Sequence, residues 1–80
     1  MGKLNFDADI YDTIRKNIKK YRNEKNITSA KLAEMVDLSY EFIRQIQSDK
    51  IAYNFSVETL YKISVALDVK IDDLIQKEND

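Results

Sequence analysis

The stretch LAEMVDLSYEFIRQI, residues 32–46, contains two helix-like apolar patterns with only three residues between them. The apolar residues of each pattern recur at the spacing of one helix face: Leu32, Ala33 and Val36 in the first, then Phe42, Ile43 and Ile46 in the second. Two short helices joined by so short a turn must cross steeply, at roughly 90–120°. The stretch therefore predicts a helix-turn-helix, in which the apolar Leu38 fills the space where the helices meet.

Similar patterns along the rest of the chain predict three further helices. Thr28, Ser39 and Ser56 are good N-cap residues, and each precedes an apolar-periodic segment. We expect helices over residues 10–25, 29–36, 40–47, 57–67 and 71–77, with a loop over residues 48–55. The expected inward-facing residues of the outer helices are Ile10, Ile14, Ile18, Tyr21, Val57, Leu60, Ile63, Leu67, Ile71, Leu74 and Ile75. The expected polar side of the first helix carries Arg15, Lys16, Lys19, Lys20, Arg22 and Lys25. The β-branched Val69 and Ile71 could belong to a strand, but one strand has no partner here. The sequence therefore predicts an all-α, compact five-helix bundle.

The chain has no proline and a single glycine, Gly2, so other residues must end its helices. Asparagine and aspartate tolerate the left-handed backbone conformation best among the remaining residue types. They follow the apolar-periodic segments at the expected places: Asn26, Asp37, Asp49 and Asp68. These four residues are the predicted helix stops.

The composition argues against several classes of function. Without cysteine or histidine the chain cannot form disulfides or thiolate and imidazole metal sites. No carboxylate spacing suggests an acid–base pair, and the adjacent Asp72 and Asp73 would point apart on a helix. We therefore expect no enzyme activity, metal, cofactor or small-molecule ligand. There is no apolar run near the roughly 20 residues that span a bilayer and no hydrophobic signal core, which predicts a cytoplasmic protein without a membrane partner.

Charge is distributed unevenly along the 80 residues, although the formal net charge is only −1. Residues 1–14 carry −2, residues 15–50 carry +4, and residues 51–80 carry −3. The positive segment is the one that contains the predicted helix-turn-helix. A solvated helix face would account for this pattern as well as a nucleic-acid interface would.

The third predicted helix carries side chains suited to reading bases in the DNA major groove. If Phe42, Ile43 and Ile46 face the core, the opposite face and its start present Ser39, Tyr40, Glu41, Arg44 and Gln45. Arginine pairs with guanine, glutamine with adenine, and a glutamate carboxylate accepts a hydrogen bond from cytosine. We expect these five residues to contact bases, with an ordinary solvated helix surface as the alternative.

A second set of residues is suited to binding phosphate. Thr28, Ser29 and Lys31 begin the second predicted helix, where free backbone N–H groups attract anions. The expected phosphate contacts are Lys19, Lys20, Thr28, Ser29, Lys31, Ser48 and Lys50. Such contacts contribute affinity and carry little sequence information.

The segment from Ile14 to Ile75 resembles the Cro/C1-type (XRE-like) helix-turn-helix family of bacterial and phage transcriptional regulators. The residues that carry the likeness are Ile18, Arg22, Ile27, Thr28, Leu32, Ala33, Leu38, Ser39, Ile43, Ile46, Ser56, Leu60, Ile63, Ala66, Leu67, Asp72, Asp73 and Leu74. The resemblance implies a lambda-repressor-like fold and a sequence-specific DNA-binding regulator, a repressor above all, that binds double-stranded DNA as a homodimer. It divides the chain into an N-terminal extension (1–13), a helix-turn-helix domain (14–75) and a C-terminal tail (76–80).

Several positions differ from the usual family pattern. Asp37 and Asp49 stand where glycine is common, and Ser29 where glutamine is common. Arg22 and Gln47 match the positions of an arginine–glutamate pair that often joins the first and third helices of the family, so that salt bridge becomes at best a hydrogen bond. Asp37 and Glu41 reduce the attraction for phosphate. An alternative is therefore a protein-interaction module on the same scaffold with weak or lost DNA binding, in which the loop 50–55 contacts a partner. The dimer surface is left open among the last helix, that loop and residues 1–13.

Overall fold

The computed structural model describes residues 9–48 and 56–77, and these residues form five α-helices. The helices are α1 (Ile10–Glu24), α2 (Ser29–Val36), α3 (Tyr40–Ile46), α4 (Val57–Ala66) and α5 (Ile71–Ile75). The all-α, five-helix prediction is confirmed. The predicted starts agree with the structure; α1, α3 and α4 end one residue earlier than expected, and α5 ends two residues earlier. Residues 10–13, assigned to the extension, form the first turn of α1.

N-cap side chains begin three of the helices as expected. The hydroxyl of Thr28 accepts a hydrogen bond from the Lys31 amide at 3.0 Å. Ser39 and Ser56 cap α3 and α4 in the same way. Because α2 and α3 are only 8 and 7 residues long, they depend on these caps and on tertiary packing for their stability.

Three helix ends use the same backbone motif. Asn26, Asp37 and Asp68 each have a φ of 57°, in the left-handed region. The amide of the next residue then reaches back to the helix: Ile27 to Arg22 O, Leu38 to Ala33 O, and Val69 to Ser64 O, at 2.9–3.0 Å. The following apolar residue packs against the core each time, as in a Schellman motif. Three of the four predicted stops are thus confirmed, and Asp49 lies outside the described residues.

One continuous core joins the five helices. Its buried members are Ile14, Ile18, Leu32, Ala33, Val36, Ile43, Ile46, Ile63, Leu67 and Leu74. α1 packs on α5, and α2 packs on both α3 and α4. Leu38 is half-buried against this core, so its predicted position between α2 and α3 is confirmed.

The prediction that Val57 and Ile75 face inward is wrong. Val57 is 78% exposed because it occupies the first position of α4, where the helix has just begun. Ile75 is 38% exposed because it is the last residue of α5, at the open end of the helix. The inner face of α5 is instead fixed by Asn17, whose side-chain amide donates to the carbonyl oxygens of Leu74 and Gln76 at 2.8 Å.

The expectation that Arg15 lies on the polar side of α1 is also wrong. Its side chain is only 8% exposed, and Nη2 forms an ion pair with Asp12 at 3.5 Å. Nε and Nη1 have no hydrogen-bond partner in the described part of the chain. Asp12 itself pairs more closely with Lys16, at 3.0 Å, and this hydrogen bond lowers the pKa of Asp12. A period-based helix assignment cannot detect such burial, because arginine is normally exposed.

Replacing Arg15 with methionine is expected to leave the free energy of unfolding unchanged or to raise it. Methionine keeps much of the apolar stem and removes a buried, poorly paired charge, a change that is often neutral or stabilising. Urea unfolding of the wild type and Arg15→Met checks this. A loss above about 1 kcal/mol would contradict it, since a typical net hydrogen bond is of that size.

Asp37 offers a matched test of the left-handed turn. Asp37→Ala is expected to lower the free energy of unfolding by about 1 kcal/mol, because alanine lacks the short polar side chain that lets aspartate tolerate the left-handed conformation. Asp37→Gly removes the same charge and is expected to be neutral or stabilising, since glycine adopts the conformation freely. Equal effects of the two substitutions in urea unfolding would show that the charge, and not the backbone, is responsible.

Candidate nucleic-acid interface

The helix α3 has one buried side and one solvent-facing side. Ile43 and Ile46 are fully buried, and Phe42 is half-buried against the same core. The five predicted base-contact residues all lie on the other side or at the start of the helix: Ser39, Tyr40, Glu41 and Arg44 are exposed, and Gln45 is half-buried. The face that the sequence assigned to DNA is therefore free in the monomer.

Three of these side chains form one hydrogen-bonded group. Arg44 Nη2 donates to Glu41 Oε2 at 2.7 Å, and Gln45 Nε2 donates to the same oxygen at 3.1 Å. The Glu41 hydrogen bond, followed by its charge, raises the pKa of the Arg44 guanidinium above its ordinary value. Both partners of the ion pair are 57% exposed, so solvent screens the pair and it contributes little to stability. Arg44 can leave it at little cost.

Gln47 connects the three helices that surround this face. It is 5% exposed, accepts a hydrogen bond from Arg22 Nε at 3.1 Å, and donates to Ser29 Oγ at 3.1 Å and to Ile43 O at 2.9 Å. Arg22 also donates from Nη1 to the Ile27 carbonyl at 2.9 Å. The amide of Gln47 thereby fixes the start of α2 and the end of α3 relative to α1.

Several predicted phosphate contacts meet in one polar cleft beside α3. The cleft has a volume of about 290 Å³ and is lined by Lys19, Arg22, Ser29, Arg44, Gln47 and Ser48. Sequence reasoning noted Arg22 and Gln47 only as a hydrogen-bonding pair and did not include them in the site. The expected pairing of Arg22 on α1 with Gln47 after α3 was the sequence feature that could have placed both residues beside the interface.

The remaining predicted phosphate contacts do not line this cleft. Thr28 and Lys31 stand at the start of α2, where Lys31 Nζ pairs with Glu34 at 3.3 Å. Lys20 Nζ lies 5.1 Å from the ring centroid of Tyr21, a cation–π distance. Lys50 and the loop residues Ile51, Tyr53 and Phe55 lie outside the described residues.

The described residues contain no helix long and apolar enough to cross a membrane. In the same part of the chain, no three or more carboxylates are grouped as metal ligands would be. The chemistry that the exposed face offers is hydrogen bonding and charge.

Comparisons with known proteins point to one family. The sequence model of the Cro/C1-type HTH DNA-binding domain matches residues 17–80. An immunity repressor protein of Bacillus phage phi105 is 32% identical over 66 residues, which are 82% of this chain and 44% of that repressor. The chain thus spans less than half the length of this curated relative.

Two solved structures share the fold. The first is the master regulator for biofilm formation SinR in complex with DNA, with a TM-score of 0.72 and 32% identity, covering 79% of this chain and 98% of that one. The second is the hypothetical transcription factor NHTF from Neisseria, with a TM-score of 0.81, 18% identity, and coverage of 96% and 86%. The second likeness concerns the fold alone.

Gln47→Ala is expected to lower the free energy of unfolding by about 1–3 kcal/mol, because it leaves partly buried donors and acceptors of Arg22 and Ser29 unpaired. Gln45→Ala, two positions earlier and within α3, is the matched control, since among the described residues the side chain of Gln45 bonds only to the exposed Glu41. We expect that control to stay within about 0.5 kcal/mol of the wild type. Equal losses in urea unfolding would mean that helix propensity, and not the hydrogen bonds of Gln47, is what matters.

Proposed function

The chain belongs to the Cro/C1-type helix-turn-helix DNA-binding domain family, and on that premise we propose that it is a sequence-specific transcriptional repressor. Its α3 enters the DNA major groove, which admits one helix. The observation that carries this proposal is the exposed polar face of α3, whose opposite side packs into the core through Ile43 and Ile46. The names of the phage repressor and of the SinR complex with DNA support the same function.

In this proposal the residues divide into two roles. Ser39, Tyr40, Glu41, Arg44 and Gln45 contact base edges. Lys19, Lys20, Thr28, Ser29, Lys31, Ser48 and Lys50 contact phosphates. The cleft beside α3 supports the phosphate role, because Lys19, Ser29 and Ser48 line it together. A phosphate seated there would set the depth at which α3 enters the groove.

We further propose that the chain acts as a cytoplasmic homodimer and has no catalytic role. A two-fold dimer would place its two α3 helices about 34 Å apart, one turn of B-DNA, on a palindromic operator. The recovered operator would then show two half-sites at that spacing. Selection of bound sequences from a random duplex pool reports specificity and half-site spacing together.

A second candidate function is a protein-interaction module with weak DNA binding. The observation in its favour is that the carboxylate of Glu41 lies within the proposed DNA face and engages both Arg44 and Gln45. Retention on random duplex DNA at low and moderate salt discriminates the two functions, because phosphate binding falls steeply with salt. If the protein is not retained on the DNA at either salt concentration, the interaction module is favoured.

Arg44→Ala is expected to weaken binding to the selected operator by about 1–3 kcal/mol and to relax the base preference at one position. Lys19→Ala is expected to weaken binding to all sequences and to reduce the slope of log K against log salt by about 0.9. Lys62→Ala, on α4 away from the cleft, is the control and is expected to change neither. Fluorescence anisotropy with operator and random duplexes measures all three.

The assignment of base readout to α3 would be wrong if Arg44→Ala left operator affinity unchanged while Lys19→Ala lowered it uniformly. That result would describe a DNA-binding protein whose base readout lies elsewhere than on α3.

A further inference from the structure

The two oxygens of Glu41 are in different situations. Oε2 accepts hydrogen bonds from Arg44 and Gln45, at 2.7 and 3.1 Å. Oε1 accepts none within the described residues 9–48 and 56–77. The carboxylate is therefore anchored through one oxygen and open at the other. Because Glu41 lies in the first turn of α3, the open oxygen is on the part of the helix that leads into the groove in this family of motifs.

Anchoring gives the three side chains a shared geometry. Arginine, glutamine and glutamate are long and lose considerable rotamer freedom when they bind. Because one oxygen of Glu41 accepts hydrogen bonds from both Arg44 and Gln45, the rotamers of all three side chains are restricted before DNA binds. Arginine has five N–H groups, so Arg44 can keep one bond to Glu41 and use others on a guanine. The group is thus partly ordered for binding in the free protein.

Desolvation makes the open oxygen selective. In water Oε1 is solvated, and the exposed ion pair contributes little. When α3 enters the groove, water leaves, and a carboxylate oxygen without a donor becomes costly. The base-edge donors in the major groove are the amino groups of cytosine N4 and adenine N6, whereas guanine N7 and O6 and thymine O4 are acceptors that repel a carboxylate.

We propose that Glu41 is a specificity-determining residue, which orients Arg44 and Gln45 through Oε2 and selects a base that presents an amino group through Oε1. The inference rests on the proposed DNA-binding function and deepens it, since it assigns one carboxylate two separate tasks. The ligand class at Oε1 is the exocyclic amino group of cytosine or adenine. Guanine and thymine on the same strand at that position are excluded.

The test is selection from a random duplex pool with the wild type, Glu41→Gln and Glu41→Ala, followed by affinity measurements on the wild-type operator and on random duplex. We expect the wild-type sites to hold cytosine or adenine at one position of each half-site. That preference is expected to disappear with Glu41→Ala and to change with Glu41→Gln, whose amide can also donate. The ratio of operator to random-duplex affinity is expected to fall about tenfold in both variants.

Glu34→Gln is the matched control, because Glu34 is also exposed and paired within its own helix, to Lys31 at 3.3 Å, but lies on α2. It removes the same charge and is expected to leave the selected sequence unchanged. If Glu34→Gln lowers the affinity ratio as much as Glu41→Gln, net charge accounts for the effect and the inference is overturned.

The result separates this inference from the function on which it rests. If the wild type enriches an operator and both Glu41 variants enrich the same operator with the same affinity ratio, the role of Glu41 is overturned and the DNA-binding function stands. If the wild type enriches no sequence at all, the proposed function fails and the inference fails with it. Circular dichroism of each variant checks that the substitution of an exposed residue leaves the helical fold intact.

Discussion

The hydrogen bonds of Gln47 fix the arrangement on which the rest of the interface depends. One buried side-chain amide accepts from Arg22 on α1 and donates to Ser29 at the start of α2 and to the backbone of α3. Helices of seven or eight residues are unstable alone, so their relative orientation must come from contacts of this kind and from the core. A neutral amide can serve both as acceptor for the guanidinium and as donor to the hydroxyl, which a carboxylate in its place could not do.

The turns show how a chain without proline, and with its one glycine at position 2, can end helices sharply. Asn26, Asp37 and Asp68 adopt the left-handed conformation, and the apolar residue after each one packs on the core. The conformational cost of each turn is offset by the burial of that next side chain and by the backbone bond it permits. Local sequence and tertiary packing therefore agree at three separate places, which is a mark of a well-specified fold.

In the proposed interface, the charges on α3 separate selectivity from affinity. Arg44 alone would attract phosphate strongly, whereas Glu41 lowers that attraction and forms a hydrogen bond with the arginine. The cleft beside it, with Lys19 and Ser48, provides the complementary positive surface. The near-zero net charge of the whole chain is thus a poor guide to its function, since the local arrangement decides which groups meet DNA.

The sequence by itself determined the five helices, three of their N-caps, three of the left-handed stops and the polar face of α3, because each depends on residues within a few positions of one another. It also indicated the family through residues spread over most of the chain. Only the tertiary structure decided that Arg15 is buried, that Val57 and Ile75 are exposed, and that Gln47 bonds to three partners. These features depend on which segments, distant in sequence, come together in space, and helical periodicity carries no information about that. Only the structure shows that Arg44 and Gln45 share one oxygen of Glu41. Their spacing on the helix brings the three side chains near each other, but the rotamers decide which hydrogen bonds form.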